Sequence, residues 1–444
     1  MTQENTSKSS PENGSVSGTT ISQTFQETIT LEGHIIDSLT LSKVLDLILR
    51  EGGQYQIRRF HMGETRSDPS RAEIIVSAPD AEILEFILHT VQQHGATRRT
   101  GEAFLAPAPA DGVLPDGFYA TTNLQTSVSL NGVWHAIADN EMDCGLVVVR
   151  QESSDTDIKT ESPLLSSVYP VCLPMHRVKK GDMVVVGDTG VRVTPLDRRD
   201  PADAFSFMGS EVSTERPKER IIVALVKAMQ DAREQGQKIL FVGGPAILHT
   251  GAGSAVEAII RAGWIDVLFA GNALATHDIE HALYGTSLGV ELETGVSGIH
   301  GHEHHLRAIN TIRACGSIRA AIDQGILSSG IMHALVTTNT DFVLAGSIRD
   351  DGPLPDVITD SIQAQDAMRA HVRGVSVALM VATTLHSIAT GNLLPASART
   401  ICVDSDADTV IKLMDRGTHQ AFGLVTDCEF FLKELAARLP GVKT

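Results

Sequence analysis

The sequence predicts an α/β protein: a small α+β module, a β-rich middle domain, and a C-terminal doubly wound, mostly parallel, Rossmann-like sheet. Three observations carry that prediction. After Pro217 short apolar runs alternate with helical ones to the end of the chain, the pattern of right-handed β-α-β crossovers. Between residues 101 and 200 the β-like runs, such as 145–149 and 182–187, are broken by Pro and Gly and show little helical periodicity. Each of the C-terminal strand runs also ends in Gly, Asn, Asp or His, where ligands bind in such sheets.

Residues 1–28 open with Ser, Thr, Asn, Gln and Gly and few periodic apolar positions, so a disordered tail is expected. From Ile29 a strand over 29–31 leads to a helix over 41–49 that begins after Thr40 and stops at Gly52-Gly53. Strands over 54–61 and 73–76 follow. Pro79-Asp80 then opens a helix with Ile83, Leu84, Ile87, Leu88 and Val91 on one face. These form a β-α-β-β-α module over 29–100, before the middle domain at 101–210. In the catalytic domain, 211–444, a helix over 220–235 precedes strands at 238–242, 265–269, 341–345, 378–383 and 400–403.

Composition narrows the function. With 444 residues the chain is too long for one ordinary core. It has no run of eighteen apolar residues and no signal-peptide pattern, so no membrane is expected. The net charge of −18, with Lys and Arg scattered, opposes nucleic-acid binding. Cys144, Cys172, Cys315, Cys402 and Cys428 are odd in number and never spaced C-x-x-C, which fits a reducing cytoplasm.

The strand ends hold the candidate chemistry. After the first comes Gly243-Gly244-Pro245, then Thr250-Gly251-Ala252-Gly253 before a helix. Glycines admit close backbone approach and a helix N-terminus suits a pyrophosphate, although a ligand-free glycine turn reads the same way. The second ends in Gly271-Asn272-Ala273, with Asp278 and Glu280 beyond it. This is a corner for a nicotinamide or ribose, or two solvated helix charges. The third opens a loop with Arg349, Asp350, Asp351, Asp356 and Asp360 between prolines. Such a loop can bind ammonium groups and a carboxylate and position a base; an ordinary acidic turn is the other reading. The fourth is followed by His386 and by Gly391-Asn392, the histidine being either an acid/base group or a structural hydrogen-bonder. Asp404 ends the fifth, as a ribose acceptor or a helix cap. The run His300-Gly301-His302-Glu303-His304-His305 lacks zinc-site spacing, so no metal is expected there.

At these residues the chain resembles the archaeal-type ornithine cyclodeaminase family, also found as the C-terminal part of cyanobacterial arginine dihydrolase/ornithine cyclodeaminase fusions. The similarity covers about residues 29–444 and is most specific at AGNALATHDIE, VLAGSIRDDGPLPDVITD, LHSIATGNLLP and KLMDRGTHQAFGLVTD. The segment LEGHIIDSLTLSKVLDLI resembles the conserved region of bifunctional lysine-ketoglutarate reductase/saccharopine dehydrogenase. A weaker similarity links residues 250–360 to deoxyhypusine synthase.

The resemblance implies conversion of L-ornithine to L-proline and ammonia by an internal NAD hydride cycle, within ornithine and arginine catabolism and proline biosynthesis. A cytoplasmic homo-oligomer acting on a small amino acid is expected. Under this reading Asp351, Asp356 and His386 are catalytic, and Arg349 and Asp350 bind substrate. Thr250, Gly251, Ala252, Gly253, Gly271, Asn272, Ala273, Asp278, Gly391, Asn392 and Asp404 hold NAD. Two alternatives stay open. A deoxyhypusine-synthase-like enzyme needs a lysine nucleophile, and no lysine lies between Lys238 and Lys412; a catalytically idle NAD-binding regulator would bind cofactor without turnover. Arginine dihydrolase activity is disfavoured, because only the expected tail precedes residue 29.

Overall fold

The structure is a computed structural model that describes residues 25–443, apart from 37–38, 64–67, 93, 99–100, 151–167, 195–217, 288–289, 292–302, 351 and 417–420. The first unit runs β1 (Phe25–Gly33), α1 (Thr40–Arg50), β2 (Gln54–His61), β3 (Ser70–Ala78), α2 (Ala81–Gln92) and β4 (Thr97–Arg98), with its strands in the order β2-β3-β1-β4. Its core is Ile29 and Leu31 from β1, Ile74 and Val76 from β3, and Ile87, Leu88 and Val91 from α2. Residues 25–28, expected in the tail, belong to β1, because they pair antiparallel with residues 75–78 of β3. The rest of the expected tail lies outside the described residues.

The middle of the chain is all β: β5 (Phe104–Pro107), β6 (Thr126–Leu130), β7 (Val133–Ala136), β8 (Gly145–Arg150), β9 (Val168–Leu173), β10 (Met183–Val186) and β11 (Val191–Val193). They form two small sheets, β5-β10-β8-β9 and β11-β6-β7. Gln92 of α2 ties the first unit to it by donating Nε2–H to the carbonyls of Asp188 and Val191, at 2.9 and 3.1 Å.

The C-terminal part runs α3 (Lys218–Glu234), β12 (Lys238–Gly243), α4 (Ala246–His249), α5 (Gly253–Arg261), β13 (Val267–Gly271), α6 (Asn272–Tyr284), β14 (Thr286–Ser287), β15 (Val290–Glu291), α7 (His304–Cys315), α8 (Ile318–Asp323), α9 (Ile331–Thr338), β16 (Asp341–Ala345), α10 (Ser361–His371), β17 (Val375–Val381), α11 (Leu385–Leu393), β18 (Arg399–Asp404), α12 (Ala407–Arg416), β19 (Ala421–Val425) and α13 (Cys428–Arg438). The sheet order is β16-β13-β12-β17-β18-β19, all parallel.

Alternate strand residues serve two cores. Phe241, Leu268, Leu379 and Ile401 pack against α3, α5, α9 and α13, while Leu240, Phe269, Met380 and Cys402 pack against α10, α11 and α12. The sixth strand, β19, was not expected, because Gly423 interrupts its apolar run. That glycine is a packing requirement: a Cβ there would lie 2.4 Å from Val410 Cγ1 of α12.

Candidate active site

The strand order, numbered along this domain, is 3-2-1-4-5-6, so the chain reverses direction between β12 and β17, where an open α/β sheet forms its ligand crevice. The two strand ends touch closely. Gly244 donates its N–H to the Val381 carbonyl at 3.0 Å, and a Cβ at Gly244 would sit 1.7 Å from the Ala382 carbonyl oxygen. Ala382 takes a left-handed φ of 55° to make this turn. Just beyond it, α11 opens at Leu385 with no side-chain cap from Thr384.

That turn carries His386 over the end of β13, where a Cβ on Gly271 would lie 2.9 Å from His386 Cε1. Burial pushes the His386 imidazole below its ordinary range, and the Asp350 charge opposes the shift. Asp350 lies on the loop after β16, near enough for its charge to act on His386. The loop is held in three ways: Asp350 accepts the Ser347 N–H at 2.8 Å, Arg313 donates to the Pro353 carbonyl at 2.7 Å, and Asn272 Oδ1 accepts the Leu354 N–H at 3.0 Å. Arg349 stands exposed on it. His386, Gly271, Asn272 and Asp350, read from three separate stretches of sequence, thus meet at one end of the crevice.

The other end is built from Thr250–Gly253, Asp404 and the start of α13. Thr250 Oγ1 lies 3.3 Å from Cys428 Sγ. Burial pushes that thiol up and the nearby Asp404 charge adds to the shift. Gly251 has a φ of +83°, which favours glycine, and Ala252 gives α5 no side-chain cap.

Residues 223–435 match the family described as arginine dihydrolase ArgZ-like, C-terminal, Rossmann fold; residues 125–222 match the first region of the same C-terminal part. Residues 26–124 match the LOR/SDH bifunctional enzyme conserved region. The chain is 50% identical over 422 residues to an ornithine cyclodeaminase of Methanocaldococcus jannaschii, covering 94% of this chain and 96% of that one. Against that of Methanopyrus kandleri it is 49% identical, covering 94% and 98%. The chain belongs to the ornithine cyclodeaminase family.

The bifunctional arginine dihydrolase/ornithine cyclodeaminase AgrE of Nostoc is 39% identical to this cyclodeaminase family member over 93% of the chain, which spans 58% of AgrE. The apo structure of cyanobacterial ArgZ superposes with a TM-score of 0.77 at 32% identity, over 94% of this chain and 58% of ArgZ. A LOR/SDH protein of Methanococcus maripaludis superposes at 0.67 with 46% identity, over 76% of this chain and 97% of that one.

Several residues expected in the cyclodeaminase site are committed elsewhere. Asp278 is 2% exposed and accepts the N–H groups of Ile331 and Met332, both at 2.8 Å, so it caps α9 rather than facing the crevice. Burial raises it to about 7 against the pull of those amides. Asp356 Oδ2 accepts the Ile318 N–H at 2.9 Å at the start of α8, and burial raises its carboxyl. That bond takes up one oxygen of the expected base. Gly391 and Asn392 lie in the last turn of α11, away from the strand ends, where the Asn392 carbonyl accepts the Met142 N–H of the middle domain. Asp404 Oδ1 accepts the Asp406 N–H at 2.9 Å, and Asp406 is the residue that bonds the start of α12. Asp351 and His300–His302 lie outside the described residues, while His304 and His305 open α7.

A dinucleotide fits the remaining groups. The N-termini of α5, α6 and α11 have no side-chain caps, so their first amides are open to an anion. In the first turn of α11 the Ser387 hydroxyl is buried without a partner among the described residues. Sequence reasoning passed over His249 and His277 as possible site residues, and read Glu280 only as part of a nicotinamide or ribose corner or as a solvated helix charge. The available signal was the i, i+3 spacing of His277 and Glu280, which puts both on one helix face.

Proposed function

We propose that the chain converts L-ornithine to L-proline and ammonia, using NAD as an internally recycled cofactor. The observation that carries this reading is the placement of His386 against Gly271 at the strand ends beside the switch point of the sheet, with the Asp350 charge acting on it. Bound NAD supplies hydride acceptance and return. Thr250–Gly253 and the start of α5 would hold its diphosphate, Asp404 an adenosine ribose, and Gly271–Ala273 the nicotinamide end.

His386, kept neutral by burial, can take a proton from the reacting amine at neutral pH. Asp350 stabilises the imidazolium that results and offers negative charge to an ammonium group. Arg349, exposed on the same loop, pairs with the substrate carboxylate, and Asp351 is kept as a proposed catalytic carboxylate. The stretch between Lys238 and Lys412 has no lysine, which supports proton transfer over a covalent imine to the enzyme. The five free cysteines fit a cytoplasmic setting. No helix among the described residues is long and apolar enough to cross a membrane. A homo-oligomer belongs to the same reading: edge strand β2 exposes Tyr55, Ile57 and Phe60 to a second copy, and light scattering tests it.

The deciding experiment supplies α-deuterated L-ornithine and NAD. Proline that keeps the label, with one ammonia released and no net NADH, is the expected result; loss of the label to solvent overturns the hydride cycle. His386→Asn should lower the rate about 10²–10⁴-fold and leave NAD affinity unchanged.

A further inference from the structure

Next to the crevice, a second group of titratable side chains is assembled from four elements. His249 ends α4, His277 and Glu280 lie one turn apart on α6, Thr286 and Ser287 form β14, and His304 and His305 begin α7. Glu280 is 0% exposed. Its Oε1 accepts the Thr286 hydroxyl at 3.0 Å, and its Oε2 lies 2.8 Å from His277 Nδ1.

The directions of these bonds follow from the donors available. Thr286 gives its single O–H to Glu280, so its oxygen accepts the Nδ1–H of His304, 2.8 Å away. A carboxylate only accepts, so His277 Nδ1 carries the proton toward Glu280. The working nitrogen of His277 is therefore Nε2, on the ring edge away from Glu280. The ring sits edge-to-face against His249, with centroids 4.9 Å apart, and 6.4 Å from His305. His249 Nδ1 is tied to Ser287 Oγ at 2.7 Å. Burial, with His277 beside it, holds His249 below the ordinary imidazole range.

Two imidazoles in contact, one backed by a fully buried carboxylate, exceed what packing four elements together requires. They stand at the ends of the segments that leave β12 and β13, the strands whose glycine ends form the crevice. We propose that His277, oriented by Glu280, is the proton carrier for the amine groups of the substrate, with His249 as its partner.

The proposal rests on the cyclodeaminase reading above. His386 serves the α-amine before hydride loss; the δ-ammonium must in turn lose a proton before its nitrogen attacks the imine carbon, and His277 Nε2 takes that proton. When the carbon–nitrogen bond to the departing amine breaks, its electron pair goes to nitrogen and the imidazolium returns the proton. One proton leaves and one comes back, so the base is regenerated in each cycle. The groups facing His277 are Glu280 on its own helix, His249 from α4 and His305 from α7, while His304 is bonded to Thr286, which donates to Glu280.

The test uses the full chain with NAD and L-ornithine, and the variants His277→Ala and Glu280→Gln. His277→Ala should lose about 10²–10⁴-fold in turnover, recover part of it when imidazole is added, and bind NAD as the parent does. In Glu280→Gln the neutral amide no longer stabilises the imidazolium, so the acid limb of the kcat/KM profile should move to lower pH. A ¹⁵N imidazole titration of the unliganded chain should show His277 moving in the same direction. Full activity in His277→Ala, or a uniform loss with no imidazole rescue and no displaced limb, overturns the proposal and leaves the cyclodeaminase reading intact. Failure of the parent chain to convert ornithine overturns both.

Discussion

The two ends of the C-terminal sheet use the same kinds of side chain for different purposes. At the N-terminal end, where the middle domain docks, Arg369 Nε lies 2.7 Å from both oxygens of Glu141, and its Nη1 donates to Asp366 at 2.6 Å. Asp366 is also reached by Arg177 at 2.9 Å and His176 at 3.2 Å. Each of these charged groups meets an opposite one. At the C-terminal end, half-buried His386 is pushed below its ordinary range with the Asp350 charge opposing the shift, three helix N-termini lack side-chain caps, and the buried Ser387 hydroxyl has no partner among the described residues. Paired charges hold the joint, whereas at the crevice uncapped helix starts and an unpartnered hydroxyl leave groups for something else to bind.

The largest effect that would break this comparison is at the joint. Glu141→Ala leaves Arg369, 8% exposed, short of its main partner. Removing one member of a buried pair costs about 3–5 kcal/mol. Urea unfolding should show that loss while the KM for ornithine in the surviving folded enzyme stays unchanged; a changed KM with unchanged stability would mean the joint serves the site. The second effect is at the crevice. Asp404→Ala should weaken NAD binding by about 1.5–3 kcal/mol through loss of a charged hydrogen bond, with little change in melting temperature because Asp406 bonds the start of α12. Unchanged affinity would reduce Asp404 to its local turn.

The sequence shows the strand ends well and the partners of polar groups poorly. Gly271 and His386 were legible because a small residue at a strand end and a histidine after the next turn keep their meaning in any parallel sheet. Gly391-Asn392 looked equally site-like, yet nine residues of helix place them in the last turn of α11, and residue spacing could not show that the middle domain occupies that end. In the sequence Asp278 and Glu280 read as part of a cofactor corner or as neighbouring solvated charges. Both are buried, because α6 is enclosed on several sides by α4, α7, α9 and β14, and enclosure is a tertiary property with no periodic signature.

Asp278 also gives the smallest and most discriminating test. Its carboxyl titrates near 7 in the folded chain against 3.8 as a free group, with burial raising it and the Met332 and Ile331 amides lowering it. Between those values the native state keeps a proton that the unfolded state has released. Unfolding free energy should therefore fall as pH rises through this window, by at most about 1.4 kcal/mol per pH unit from this group, and level off above 7. Asp278→Asn cannot titrate and has one acceptor oxygen for two amides, so at pH 5 it should be less stable than the parent by about 1–3 kcal/mol. As the parent loses its proton the difference should shrink, and urea unfolding at pH 5 and pH 7 measures it. A difference that stays constant would mean that Asp278 is ionised throughout and neutralised by the start of α9. The buried charges of α6 would then be paired like those of the joint.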